Sequence, residues 1–357
     1  MALLTFLCLS LATVASPANA GDSTVLPLQE SPTRSSPLLP KPARLILSDL
    51  DGTLIGKDGV LPPDNVEAFR LAHSLGIQVA LSTGRPRTNV MELLGENNLK
   101  KMDFSGFPGI YLNGAYVLGP EGEVLRDSPL AHDTLKHILH IITEAGLLDK
   151  AVGVTEGPLV FFKEKSESLD VYSRVHKVHV EGEPSAVAGV RHRLEAELGD
   201  SIGFAQSHPR AFEVLQPGID KGEALRLLSE VLGISPEEVL AVGNAHNDLP
   251  MFKVAGTAVA VGDGYEDAKA AADFITVPST QGALMQVLLY VKAHLYPHSP
   301  SHEGTATVFS SLLHEKGAYT ASRWLEKQQK CVDRTLQVVR KKVEGLADHI
   351  EKLRSMN

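Results

Sequence analysis

Two aspartates set two residues apart at the end of an apolar run constrain this chain more than any other feature. The run is Arg44-Leu45-Ile46-Leu47-Ser48-Asp49-Leu50-Asp51-Gly52-Thr53-Leu54. Its β-branched and aliphatic residues read as a strand, and the glycine after the second carboxylate reads as a turn. Side chains alternate along a strand, so residues two apart face the same way and both carboxylates can enter one space at the strand's C-terminal edge. Open α/β sheets bind ligands at that edge. There Asp49 has the chemistry of a nucleophile toward phosphorus, and Asp51 that of an acid which protonates a leaving group and then takes a proton from water. Standing alone, the segment would be an ordinary Asp-Gly turn after a buried strand.

Three further segments follow in order. Ile77 to Leu81 is a second apolar run closed by Ser82-Thr83-Gly84-Arg85-Pro86, where the Thr83 hydroxyl and the Gly84 amide can hold phosphate oxygens at a helix start. Gly218-Ile219-Asp220-Lys221-Gly222-Glu223 puts a lysine in the first turn of a helix, with Asp220 as cap and Glu223 three residues on. Its ammonium can neutralise transferring phosphoryl charge. Val239-Leu240-Ala241-Val242-Gly243-Asn244-Ala245-His246-Asn247-Asp248 is a third apolar strand ending in oxygen ligands suited to Mg²⁺.

This ordered set resembles the haloacid dehalogenase superfamily and, within it, the Cof-type phosphatases, over residues 44 to about 295. Asn113-Gly114-Ala115, Lys221-Gly222 and the run from Gly256 to Gly264 add to the match. Dehalogenases lack the second aspartate and transport ATPases carry threonine there, so Asp51 sets this chain apart from both. The resemblance implies a Rossmann-like parallel sheet core of α/β class with an inserted α+β cap domain; the C-terminal helical extension is one the family does not require. It implies Asp49 as nucleophile and Asp51 as acid/base, with Thr83, Gly84, Lys221 and Asn247 on the substrate phosphate. Mg²⁺ would be held by Asp49, the Asp51 backbone, Asn244 and Asp248. Asn113, Arg85 and His246 are further candidate contacts to a small phosphorylated metabolite. Arg85 either touches a substrate anion or pairs with a core carboxylate, and His246 either faces the pocket or lies exposed. Asn244 departs from the family pattern, which has aspartate after that glycine; an amide oxygen coordinates a hard cation but brings it no charge. The implied activity is an aspartyl-phosphate phosphatase. A catalytically impaired relative that binds a phospholigand or protein, and a phosphotransferase or mutase, are the alternatives.

From the alternation of strand and helix, residues 43–115 and 212–297 are expected to form the core and 116–211 the cap. Asp64 with Glu67 resembles a capping box opening a helix that ends near Gly76. Within the cap the pattern gives a hairpin at 116–118 and 123–125, a helix near 131–145, strands near 151–163 and 177–181, a helix near 185–198 and a strand near 211–215. His137 with His140, and His176 with His179, lack a carboxylate or cysteine at ligand spacing and read as solvated cap residues.

The formal charge of −9 gives no reason to expect nucleic acid as a partner, and Cys8 and Cys331 are too few for a disulfide framework. Residues 1–20 read as a signal peptide ending Ser16-Pro17-Ala18-Asn19-Ala20, and 21–42 as a linker or second targeting segment. The expected destination is the secretory pathway, or a plastid in a plastid-bearing cell, with no stable membrane insertion of the mature chain. In the 298–357 extension, Val332, Leu336, Val339, Val343, Leu346, Ile350 and Leu353 step by four and three. That stripe predicts an amphipathic helix around 325–354, able to pair with another copy, dock on its own core or bind another protein.

Overall fold

The computed structural model describes residues 29–30, 42–162 and 174–295. The leader expected at 1–20, nearly all of the 21–42 segment and the helix expected around 325–354 lie outside the described residues. Within them no helix is long and apolar enough to cross a membrane.

The apolar run before Asp49 forms strand β2, Leu45–Ser48, buried along its whole length. Around it lies a nine-stranded sheet in the order β1-β14-β13-β12-β2-β3-β4-β5-β6. The central six run parallel: β14 (Phe274–Ile275), β13 (Thr257–Ala260), β12 (Val239–Gly243), β2, β3 (Gln78–Ser82) and β4 (Gly109–Tyr111). A strand covered on both faces reads as a continuous apolar run, which is why these segments show no polar alternation. Ile46, Leu81, Val242 and Val259 belong to a core cluster shared with helices α1 (Pro63–Ser74) and α9 (Ala283–Leu295). Leu45, Leu47, Ala80 and Ala241 belong to a second cluster shared with α6 (Lys221–Leu232) and α7 (Leu249–Val254). The odd and even positions of one strand thus feed two different cores.

Three local expectations differ from the fold. The hairpin β5 (Tyr116–Leu118) and β6 (Val124–Asp127), placed in the cap from its rhythm, extends the core sheet through antiparallel pairing of β5 with β4. Alternation identifies a strand; it does not say which sheet the strand joins. Asp64 does not cap α1, because the Pro62-Pro63 pair puts the cap two residues earlier, at Pro62, and leaves Asp64 inside the first turn. Gln29–Glu30, expected within a linker, pairs antiparallel with β14 as strand β1.

The second sheet is antiparallel in the order β10-β11-β9-β7-β8, formed by β7 (Ala151–Val154), β8 (Val160–Phe161), β9 (Lys177–Glu181), β10 (Gly203–His208) and β11 (Ala211–Leu215). Strand 211–215 therefore sits in this sheet, as the cap pattern expects, and carries the cap beyond the expected boundary at residue 211. Helices α4 (His132–Glu144) and α5 (Pro184–Leu198) share its core: Leu135, Ile138, Ile142, Val187, Val190 and Leu194 pack with Val178, Val180, Phe212 and Val214. His176 departs from the solvated reading. It is buried, and its Nε2 lies 2.6 Å from Asp127 Oδ1 on β6.

Candidate active site

The C-terminal ends of β2, β3 and β12 bring the first, second and fourth motifs together. Asp49 follows β2, and its amide donates to the Val242 carbonyl of β12 at 2.8 Å, fixing the strand end beside motif four. Gly52 turns the chain with φ +74°, a conformation that favours glycine, and a Cβ there would come within 2.4 Å of Asn244 Nδ2, so any side chain would have to displace the Asn244 amide. Thr83 follows β3 directly, is buried, and accepts at its hydroxyl from the Arg85 amide at 3.1 Å. Lys221 enters from the first turn of α6, whose cap is the expected Asp220: its Oδ1 accepts from the Gly222 and Glu223 amides at 2.7 and 2.8 Å.

Lys221 is fully buried, and its Nζ lies 2.7 Å from both Asp49 Oδ1 and Asp248 Oδ1. The other Asp248 oxygen accepts from the Asn244 and Ala245 amides at 2.8 and 2.9 Å. Asp248 is thus a bracket between the motif-four loop and the ammonium. Burial pushes the Asp49 carboxyl up to about 7, against the pull of Lys221 and with a further push from Asp248. Burial works the other way on Lys221, but facing Asp248 and Asp49 its ammonium stays above the ordinary lysine range.

Asp51 is half-exposed and is gripped by Arg85 through two hydrogen bonds of 2.8 Å, Nε to Oδ2 and Nη2 to Oδ1. Nη1 of the same guanidinium donates to Asn89 Oδ1 at 2.6 Å. Of the two expectations for Arg85, the structure has the carboxylate pair, and the partner is the candidate acid/base itself. His246 Nδ1 lies 2.9 Å from Asp267 Oδ2, and the ring is largely exposed. It also lines a cavity between the two sheets together with Asn113, Gln206, Lys221 and Asn247. Asn247 donates to Asn113 Oδ1 at 3.1 Å, and Asn113, in the left-handed region at φ 56°, donates to Glu213. The four motifs therefore converge, while Asn247 and Asp248 are engaged by protein partners in this arrangement.

Three residues at the site carried no sequence signal. Glu213 on β11 and Lys177 on β9 form a buried ion pair, and Lys177 Nζ donates to the Gly84 carbonyl at 2.6 Å. Glu213 is held at about 2: Lys177 and His179 beside it outweigh the burial that would raise it. Glu156, between β7 and β8, places its carboxylate on the first amides of α2 (Arg87–Leu94). The helix start that follows Gly84, expected as an anion site, is filled by the chain's own carboxylate.

The residues expected to hold a metal offer it oxygen only, from the Asp49 carboxylate, the Asp51 carbonyl, the Asn244 amide and Asp248, although both Asp248 oxygens already accept hydrogen bonds from Lys221 and from the Asn244 and Ala245 amides. Among the described residues no three His, Cys, Asp or Glu side chains cluster as metal ligands. An oxygen-only set of this kind fits a hard cation such as Mg²⁺, with less charge than a set bearing aspartate at 244. The raised Asp49 carboxyl fits as well, since a neighbouring divalent cation favours the ionised form.

The sequence matches the model of the haloacid dehalogenase-like hydrolases over residues 46–156 and 160–288. A Bacillus subtilis protein, phosphatase YwpJ, is 26% identical over 289 residues, covering 70% of this chain and 99% of its own length. The chain is 28% identical to the chloroplastic endoribonuclease YBEY of Arabidopsis thaliana over 68% of its own length, and it spans 45% of that protein. A solved HAD/COF-like hydrolase of Plasmodium vivax superposes with a TM-score of 0.63 at 27% identity, covering 70% of this chain and 96% of that one. Together with a Rossmann-like sheet, an antiparallel cap sheet and four convergent motifs, these matches show that the chain belongs to the haloacid dehalogenase-like hydrolases, in their Cof-type phosphatase branch.

Proposed function

We propose that the chain is a Mg²⁺-dependent phosphomonoesterase that acts on a small phosphorylated metabolite through a phosphoaspartate on Asp49. Sugar phosphates and phosphorylated cofactor precursors are the substrate classes in view. In the first step an Asp49 oxygen bonds to phosphorus while the ester P–O bond breaks, and Asp51 gives its proton to the departing oxygen. In the second, water attacks the same phosphorus, Asp51 takes a proton back, and the bond to Asp49 breaks to release inorganic phosphate. Lys221 holds Asp49 in place and offers positive charge to the phosphoryl oxygens, with the Thr83 hydroxyl and Gly84 amide as further donors. When bound, Mg²⁺ supplies charge neutralisation at the phosphoryl group and favours ionised Asp49.

The observation that carries this reading is the buried Lys221 bridging Asp49 and Asp248 at 2.7 Å each, with Asp51 two residues from the nucleophile on the same turn. The test is phosphate release from a panel of sugar phosphates, phosphorylated cofactor precursors and p-nitrophenyl phosphate, with and without Mg²⁺, for wild type and Asp49→Asn. Release that needs Mg²⁺ and is lost in the variant supports the reading; wild-type release from Asp49→Asn sinks it. A second reading, a catalytically impaired phospholigand binder, is favoured by Asn244 and by the grip of Arg85 on Asp51. It requires phosphate compounds to bind with no turnover until Asn244→Asp is introduced.

A further inference from the structure

The cap reaches the phosphate-binding segment at two points, each time with a buried or half-buried charge. Glu156 is presented by a tight turn in which the Thr155 hydroxyl accepts from the Gly157 amide and donates to the Pro158 carbonyl, both at 2.8 Å. Its carboxylate accepts from the Arg87 amide at 2.9 Å and the Thr88 amide at 3.1 Å, while its main-chain carbonyl accepts from the Thr88 hydroxyl at 3.1 Å. Helix α2 starts after Pro86 and has no side-chain cap of its own. A helix start leaves unsatisfied amides, and here a carboxylate from the other sheet serves two of them. Burial raises the Glu156 carboxyl above its ordinary value, against the pull of these amides.

The second point is Lys177, buried on β9, which donates to the Gly84 carbonyl at 2.6 Å and pairs with Glu213. Glu213 in turn holds Asn113, the core residue whose amide also receives Asn247. The stretch Gly84-Arg85-Pro86-Arg87-Thr88 is therefore pinned at both ends by cap side chains. It contains the Arg85 that grips Asp51, and it follows Thr83 directly.

We infer that Glu156 and Lys177 are positioning residues for the substrate phosphate: they fix the 84–88 segment, so that Thr83 and Gly84 present their donors correctly only while the cap is closed. This rests on the proposed placement of phosphate at Thr83 and Gly84. A purely structural staple between the sheets would hold the cap without altering phosphate affinity.

The test uses the full chain carrying Glu156→Ala, Glu156→Gln or Lys177→Met, with Arg210→Ala as a control in an exposed cap ion pair with Glu183. Three readouts are taken: amide exchange at Arg87 and Thr88, the dissociation constant of inorganic phosphate, and KM and kcat with p-nitrophenyl phosphate. Loss of a helix cap weakens its amides by roughly tenfold, so Glu156→Ala should speed their exchange by about that factor. It should also weaken phosphate comparably and raise KM more than it lowers kcat. Glu156→Gln should recover part of each, since its amide oxygen still accepts; Arg210→Ala should move none. Phosphate affinity and KM within twofold of wild type in both Glu156 variants and Lys177→Met overturn the inference, whether or not exchange quickens. Should Glu156→Ala fail to fold, Glu156→Gln and Lys177→Met decide by the same phosphate titration. If wild type binds phosphate in a Glu156-dependent way yet releases none from esters, the catalytic reading falls and this inference stands. Absence of any phosphate binding, with release from esters intact, removes this inference and leaves the catalytic reading standing.

Discussion

Replacing Lys221 with methionine keeps the length and most of the volume of the side chain and removes its charge. In the folded protein the ammonium has no water to replace it, being fully buried with both partners at 2.7 Å and nearly or fully buried themselves. Removing one partner of a buried ion pair typically costs about 3–5 kcal/mol, because the remaining charge is stranded. For a domain of this size that corresponds to a fall of roughly 6–20 °C in melting temperature. Here two carboxylates are left facing one another, so the pKa of Asp49, already pushed to about 7 by burial, should rise further. A carboxyl whose folded pKa lies above its unfolded value stabilises the protein at low pH and loses that contribution as pH rises through the folded value. The deficit of the variant against wild type should therefore be largest near pH ~8 and shrink toward pH ~5. Catalysis should suffer separately, since the nucleophile is protonated and a donor to the phosphoryl group is gone; loss of one such donor is worth about 10²–10³ in kcat. Thermal melts across pH, paired with phosphate-release assays, read both effects. Melting within a few degrees of wild type near pH ~8, or activity above about a tenth of wild type, would refute the electrostatic role given to Lys221.

Other expectations follow from the same geometry. Asn244→Asp returns a carboxylate to the oxygen set and should tighten Mg²⁺ by about 10–100-fold in calorimetry; an unchanged affinity would remove residue 244 from the metal site. Because binding of Mg²⁺ favours ionised Asp49, whose carboxyl sits at about 7, the rise in melting temperature on adding Mg²⁺ should be greater near pH ~8 than near pH ~5.5. The reverse order would contradict the assigned ligand. Gly114 has φ +101°, and a Cβ there would lie 2.5 Å from the Asp220 carbonyl oxygen, so Gly114→Ala should destabilise by about 1–3 kcal/mol in urea unfolding. A neutral result would mean that the Asn113 turn is free to shift away from α6.

What the sequence disclosed and what it concealed divide along the reach of each interaction. Asp49, Thr83, Lys221 and Asn244 were legible because each ends a buried strand or opens a helix, and those patterns are written within about ten residues. The cap of α6 was legible for the same reason, Asp220 lying next to the two amides it serves. Lys177 and Glu156 were not, since their partners at Gly84 and Arg87 lie 93 and 69 residues away and no local period records the pairing. Burial hides information too. His176 looks like any cap histidine until β6 brings Asp127 against it. Asp64 and Glu67 failed as a capping box because a proline pair, with its fixed φ, set the helix start first. No local pattern separates a substrate contact from a carboxylate pair at Arg85; the placement of the segment after β3 against the Asp51 turn decides it.

The central claim is that phosphorus becomes bonded to Asp49 during turnover. Rapid acid quenching of the Mg²⁺-loaded protein during reaction with p-nitrophenyl phosphate, followed by peptide mass spectrometry, measures this directly. A phosphorylated peptide with the modification on Asp49, absent in Asp49→Asn and accumulating when Asp51→Asn slows its hydrolysis, is the expected result. Steady phosphate release with no phosphoaspartate in any quenched sample, or a phosphoryl group on another residue, would contradict it.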